Sequence, residues 1–331
     1  MGFKRLLENI KFVNRVIKAK LFKFRYPLVV TFLCTYRCNF KCKYCSIFKL
    51  EEKEMTTEEI FSMIDQFYKA GTRRFSLNGG EPLLRRDIKE IIDYAKNKGM
   101  IISLFTNGSL VKQNIDKIKN VDVLLISFDG PEKIHDKQRF KGAYKKTIEA
   151  IKTAKEAGIN VWTNTVITKN NLNYIDFIIK KAKKLNFQTI YQPVFHYSHS
   201  SKKGDIKKLN PLIEKYQQTI DKLIRHKKQG APIFNSISYL KYIKIPDWNL
   251  NPRKCYASRL YCAVTPSGNV APCFPIFRSK EWPNGLKLGF KKAFESIPKY
   301  NCNGCYCVLV ENDFLFKLKP DVILNASKYF N

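Results

Sequence analysis

No apolar run in this 331-residue chain approaches the roughly 20 residues that a bilayer-crossing helix needs, so a membrane-spanning enzyme is not expected. Nothing at the N-terminus looks like a cleavable signal, so the chain reads as cytoplasmic and its cysteines as thiols rather than disulfides. Histidine is scarce, with 4 in the chain, and His135, His196 and His199 show no metal-binding spacing. Acidic residues are also few: 28 Asp and Glu stand against 60 Lys and Arg, for a net charge of +32. A Lys/Ile/Asn-rich composition from an AT-rich genome explains the lysines but not the shortage of acids. A field of that size attracts polyanions or an anionic membrane, and it bears on association rather than fold. An aromatic RNA-binding platform is absent, which makes nucleic acid the weaker partner.

Cysteine is what the chain has in quantity: ten residues, in two groups that run from Cys34 to Cys45 and from Cys255 to Cys307. Cys38, Cys42 and Cys45 form a CxxxCxxC run. Three thiolates can hold three irons of a cubane [4Fe–4S] cluster, where a fully protein-held cluster takes four. The fourth iron is then open to a small ligand with an amine and a carboxylate. Zinc is the competing reading, but structural zinc favours paired CxxC motifs, and no second pair or histidine lies near this run. Cys34 alternates on a strand and reads as a buried apolar residue.

From residue 27 to about 230, strand and helix signals alternate. Strands are expected at Leu28–Cys34, Arg74–Leu77, Ile101–Phe105, Val123–Ser127, Asn160–Ile167 and Thr189–Val194. Thr56 and Glu59 fit a capping box closed by Gly71, Asp87 caps a helix closed by Gly99, and amphipathic stretches run over Lys145–Ala157 and Leu172–Leu185. Such β–α repeats imply an α/β fold with a parallel sheet and outer helices. In parallel barrels, chemistry gathers at the C-terminal strand ends, where the cysteine run and the motifs below all fall. Residues 1–26 form a basic amphipathic segment that either packs against the body of the protein or lies on a membrane or partner. Residues 231–331 lose the alternation. There Ser267-Gly268-Asn269 reads as a hairpin turn that brings Cys262 and Cys273 toward each other.

Asn78-Gly79-Gly80-Glu81-Pro82, Thr106-Asn107-Gly108, Ile126-Ser127-Phe128-Asp129-Gly130 and His135-Asp136-Lys137-Gln138-Arg139 follow the cysteine run in order. With CxxxCxxC, this set resembles the radical SAM superfamily over roughly the first two thirds of the chain. Cys262, Gly268 and Cys273 resemble the opening of a SPASM or twitch auxiliary-cluster domain. The resemblance implies a partial (β/α)6 TIM-type barrel at 27–230, a small Cys-rich C-terminal domain at 231–331, and S-adenosylmethionine on the open iron. Reductive cleavage there would give a 5′-deoxyadenosyl radical that abstracts hydrogen from substrate. It assigns Cys38, Cys42 and Cys45 to the catalytic cluster and Tyr44 to the adenine. Gly79, Gly80 and Glu81 go to the methionyl amine, Ser127 to the ribose and Arg139 to the carboxylate, with Asn107 a further contact.

A second, auxiliary [4Fe–4S] cluster is expected on Cys262, Cys273, Cys302 and Cys305, with Cys255 or Cys307 as substitutes; a zinc knuckle is the alternative there. In sulfatase-maturing members an acidic residue directly follows the counterpart of Cys273. Here Phe274 and Pro275 follow, which argues against formylglycine formation. The expected partners are an electron donor of ferredoxin or flavodoxin type and a peptide, protein or lipid substrate, with peripheral contact to an anionic membrane at its inner face. A non-catalytic iron–sulfur or zinc protein that binds nucleic acid or membrane is the competing class.

Overall fold

The segment Val29–Thr35, reading VVTFLCT, is buried at every position, as a strand covered on both faces must be. It is β1, an interior strand of the sheet. The computed structural model describes residues 14–19, 21–22, 24–194, 206–245, 255–298 and 305–326. After a helical segment at 14–19 (α1), the order is β1, α2 (Thr57–Ala70), β2 (Arg74–Gly79), α3 (Ile88–Asn97), β3 (Ile101–Thr106), β4 (Val123–Ser127), α4 (Glu132–Gln138), α5 (Ala143–Glu156), β5 (Val161–Ile167), α6 (Ile175–Leu185) and β6 (Gln188–Pro193). Then come α7 (Ile213–Lys228), α8 (Ile237–Lys244), β7 (Tyr261–Val264), β8 (Val270–Ala271), α9 (Gly285–Leu288), α10 (Phe290–Glu295), α11 (Val310–Phe316) and α12 (Pro320–Ala326).

The eight strands lie in the order β6-β5-β4-β3-β2-β1-β7-β8. β1 to β6 pair in parallel with their sequence neighbours, in register with the crossover helices between them. This is the partial barrel of the sequence reading. β7 adds to the free edge of β1, also in parallel, and β8 returns antiparallel to it through the Ser267–Asn269 turn. The hairpin in the cysteine-rich tail therefore shares backbone hydrogen bonds with the barrel.

The helix ends follow local chemistry. Thr56 accepts from Glu59 N–H, while the Glu59 side chain accepts from Thr56 N–H, and Gly71 forms the C-cap of α2. Asp87 stands at the start of α3 but does not cap it with its side chain. Its carboxylate instead takes two bonds from Arg85, at 2.8 and 2.7 Å, and one from Thr57 at 2.8 Å. A buried guanidinium needs a counter-charge more than a helix end needs a cap.

Most of the basic N-terminal segment, residues 1–13, 20 and 23, lies outside the described residues. In α1, Val16 and Ala19 are buried against Leu28, Tyr256 and Leu260, while Ile17, Leu21 and Phe22 are exposed. Among the described residues, no helix is long and apolar enough to cross a membrane.

Candidate active site

Cys38, Cys42 and Cys45 sit on the loop after β1, at the C-terminal end of the sheet, and all three line one cavity of about 250 Å³. The loop is held at its root by backbone. Gly80 N–H donates to Thr35 C=O and Glu81 N–H to Arg37 C=O, both at 2.8 Å. A Cβ on Gly79 would lie 2.2 Å from the Thr35 carbonyl oxygen, and one on Gly80 would lie 2.2 Å from that of Arg37. The two glycines are thus required by the approach of the β2 loop to the cysteine loop. Arg85 braces the same root from below, donating to the Cys34 carbonyl at 3.0 Å and the Met55 carbonyl at 3.1 Å.

The three thiols shape each other's acidity. Burial raises Cys38 to about 11, with Glu81 and Cys42 adding to the rise. Burial raises Cys45 to about 12, helped by Cys42 and Cys38. Cys42 is raised by burial and by Asp129, against which Arg139 pulls it down. Arg139 offsets burial only in part, and a bound metal would supply the further positive charge that thiolates need. Among the described residues, no three of His, Cys, Asp or Glu approach one point closely enough to hold a single ion. A cubane asks each of three thiolates for a different iron, and these three line one cavity.

Asp129, fully buried beyond β4, is the hub of the opposite wall. It accepts from Arg139 Nε at 2.7 Å and Nη2 at 3.3 Å, from Val166 N–H at 3.0 Å, and from Tyr44 Oη at 3.3 Å. The guanidinium also stacks over the Tyr44 ring, 5.7 Å from its centroid. Arg139 lowers the Asp129 carboxyl against the pull of burial, while Asp129 raises Arg139 despite burial. Arg139 and Tyr44 line the cavity, but Arg139 is already ion-paired, which the sequence did not foretell. Asn107 Nδ2 donates to Asn39 Oδ1 at 2.8 Å, and Ser127 lies at the mouth end of β4; both line the cavity.

Glu81 departs from expectation. It is fully buried, and Gly79 and Gly80 line the cavity while Glu81 does not. Its carboxylate accepts from Thr106 Oγ1 at 2.8 Å, Asn107 N–H at 2.8 Å and Leu83 N–H at 3.2 Å. Its carboxylate therefore ties the β2 loop to the β3 loop, and burial lifts it to about 7. Polar residues that the sequence reading missed also face the cavity: Ser76 and Asn78 on β2, Asn164 on β5 and Gln192 on β6. Asn164 pairs in register with Ser127, and its buried Oδ1 has no protein partner. Counting strand alternation forward from Ser127 onto its neighbours would have found it.

The C-terminal cysteines divide. Cys255 Sγ lies 2.9 Å from Tyr261 Oη, which also bonds Asp313 at 3.3 Å. Burial first, and then the charges of Cys255, Asp313, Cys273 and Cys305, raise the Tyr261 phenol. Cys255 thus touches this hydroxyl, and Cys273 and Cys305 act on it by charge. Cys262, the next residue on β7, alternates to the other face and packs in the main core, whereas Cys273 packs with Tyr261 in a separate cluster. Burial raises the Cys262 thiol, and the charge acting on it is Arg25. The hairpin thus joins the two strands but leaves Cys262 and Cys273 in different clusters. Cys302 lies outside the described residues, and Cys307 lines the first cavity. His135 is structural: buried, it accepts the Asp129 N–H at 3.0 Å, and desolvation lowers it to about 4. His196 and His199 lie outside the described residues.

Residues 32–186 match the Radical SAM superfamily. Among curated proteins, an AdoMet-dependent heme synthase of Oleidesulfovibrio alaskensis is 28% identical over 273 residues, covering 72% of this chain and 67% of that protein. A PqqA peptide cyclase of Bradyrhizobium diazoefficiens is 26% identical over 261 residues, covering 76% of this chain and 67% of that protein. Of solved structures, Streptococcus suis SuiB bound to its precursor peptide SuiA aligns with a TM-score of 0.67 at 16% identity, over 93% of this chain and 74% of that one. At those identities the structural likeness establishes the fold. The cofactors of the superfamily are a [4Fe–4S] cluster and S-adenosylmethionine, and the three-thiol cavity is of the kind they need.

Proposed function

We infer that this chain, a radical SAM enzyme by its domain at residues 32–186, removes a hydrogen atom from a side chain of a peptide or protein. Cys38, Cys42 and Cys45 would hold the cluster, with Tyr44, Gly79, Gly80, Asn107, Ser127 and Arg139 around S-adenosylmethionine. When bound, these cofactors supply reductive cleavage of the sulfonium and a 5′-deoxyadenosyl radical that takes hydrogen from substrate. The chain's own part is to orient and shield. Asp129 fixes the Arg139 guanidinium against the cysteine loop, and Glu81 locks the loops of β2 and β3 together.

The observation that carries the substrate class is the cavity lining. Among the described residues that line it there is no Asp, Glu, Lys or His, and the one permanently charged residue there, Arg139, is paired with Asp129. The remaining polar groups are neutral amides and hydroxyls, beside Phe105, Val166, Phe274, Val308 and Leu309. A neutral side chain reaching in from a peptide outside would fit. The peptide named for one curated relative and the peptide bound in one solved neighbour are in keeping with this reading. Phe274 lines the cavity where an acid would be wanted for formylglycine chemistry, which argues for a different oxidation. Cys255, Cys273 and Cys305 would serve an auxiliary cluster, with Cys302 as fourth ligand. A ferredoxin- or flavodoxin-type donor would deliver the electron.

The test uses anaerobically reconstituted enzyme, dithionite and S-adenosylmethionine, with extract fractions from cells grown in heavy water. Deuterium should enter 5′-deoxyadenosine from the protein and peptide fraction and be lost on protease treatment. Transfer from the lipid or tetrapyrrole fraction would overturn the substrate class. Absence of 5′-deoxyadenosine would overturn the chemistry.

A further inference from the structure

In a chain of β–α units, each helix ends where the next strand begins, so the last turns of the helices gather on the floor of the barrel, opposite the cysteine loop. Here those turns are basic: Lys69 in α2, Lys96 in α3, Lys155 in α5, Lys183 and Lys184 in α6, and Arg225 and Lys228 in α7. α7 belongs to this floor because Ile233, just after it, pairs in parallel with Thr189 at the start of β6. The first turns of α2, α3, α6 and α7, at the other end, carry the acids Glu58, Glu59, Glu90, Asp176 and Glu214, while Glu156 closes α5 on the floor. A cation or two per helix end answers the helix dipole, and Asp122 and Asp65 neutralise Lys96 and Lys98. Lys69, Lys183, Lys184, Arg225 and Lys228 remain exposed.

The N-terminal segment lies on this same floor. Arg15 donates to the Gly71 carbonyl at the end of α2, Arg259 donates to the Ala19 carbonyl, and Tyr26 N–H donates to the Arg259 carbonyl just ahead of β7. With Val16 and Ala19 turned inward, the outer side presents Ile17 at 45%, Leu21 at 69%, Phe22 at 66% and Phe24 at 52% exposure. The Phe22 and Phe24 rings lie 6.2 Å apart, and Lys18 is exposed beside them.

We propose that the barrel floor is a docking face for an anionic lipid bilayer, with Ile17, Leu21, Phe22 and Phe24 entering the headgroup region and the active-site mouth turned away from the membrane. Charge complementarity selects an anionic surface. Four exposed apolar side chains among the cations select lipid over nucleic acid, which would be held by charge alone. The orientation makes the bilayer a platform and not the substrate.

The test is co-sedimentation of the full chain with vesicles of phosphatidylcholine alone or mixed equally with phosphatidylglycerol. Binding is expected to the mixed vesicles only, and to weaken with salt. Substituting Leu21→Ser, Phe22→Ser and Phe24→Ser together should lower partitioning at least about tenfold. Lys183→Gln with Lys184→Gln should lower it by about fivefold per charge. Both variants should keep the wild-type circular dichroism and 5′-deoxyadenosine formation, so a docking failure is separable from a failure of the chemistry. Absence of binding to the mixed vesicles would overturn the proposal. So would a triple variant that binds like wild type, or complete displacement by RNA with no effect of the triple substitution.

Discussion

The two cysteine groups are built by opposite means. Cys38, Cys42 and Cys45 come from eight consecutive residues on one loop, and the fold needs only to brace that loop, through Gly80, Glu81 and Arg85. Cys255, Cys273 and Cys305 come from three separate stretches whose charges all act on the Tyr261 hydroxyl, on a strand, β7, that joins the edge of β1. A local site tolerates changes in the sheet and fails when one loop residue goes. A site assembled from afar depends on the topology that gathers it.

The largest expected effect tests the local site. Cys42→Ala should reduce 5′-deoxyadenosine formation to that of cluster-free protein, with the corresponding loss of iron on anaerobic reconstitution. Cys273→Ala should remove one cluster's worth of iron while leaving S-adenosylmethionine cleavage measurable. Equal damage from the two substitutions would erase the distinction between the groups.

Next in size is the Asp129–Arg139 pair that walls the first site. Asp129→Asn leaves a buried guanidinium without its counter-charge, which should cost about 3–5 kcal/mol in urea unfolding. S-adenosylmethionine affinity, read by equilibrium dialysis, should fall as well, because the guanidinium loses the partner that aims it. Intact affinity in a destabilised protein would confine the pair to folding.

What the sequence revealed follows the same division. The six barrel strands were legible because continuous burial leaves long β-branched runs, and Val123–Ser127 emerged with its own limits. CxxxCxxC was legible because its spacing is itself the geometry. Glu81 was read as a ligand contact because a motif reports neighbours in sequence, not where a carboxylate turns; its turn inward depends on Thr106 and Asn107, 25 and 26 residues away. The expected grouping of Cys262 with Cys273 runs against strand alternation: Tyr261 and Cys262 are adjacent, so one faces each side. Asn164 and Gln192 carry no local signal; the strand register sets Asn164 opposite Ser127 and Gln192 opposite Val166.

Each region also holds one carboxyl lifted to about 7 by burial, Glu81 in the barrel and Glu311 in the tail. Glu311 accepts Ser236 N–H at 2.8 Å and Ser236 Oγ at 2.7 Å, at the start of α8. A carboxyl raised from its ordinary 4.5 binds more protons in the folded state. Its contribution is therefore whole below about 4.5 and is lost as pH rises to about 7, on the order of 3 kcal/mol in all. His135, lowered to about 4, acts oppositely: its share is lost as pH falls from 6.5 toward 4. Glu311→Gln should flatten the fall in unfolding free energy between pH 5 and 8. An unchanged slope would assign it to Glu81 alone.

The smallest effect is the sharpest test of the grouping. Cys262 is fully enclosed on the core face of β7, where its sulfur fills volume between β1 and the helices. Cys262→Ala should therefore cost about 1 kcal/mol, the ordinary consequence of a small core cavity, and leave iron content at the wild-type level. Cys255→Ala and Cys305→Ala, at residues of equal size beside Tyr261, should each lose iron. If Cys262→Ala sheds iron as they do, β7 must present its other face to the metal. The alternation that separates Tyr261 from Cys262 would then not hold in the loaded protein, and the assembled site would have to be redrawn around the hairpin.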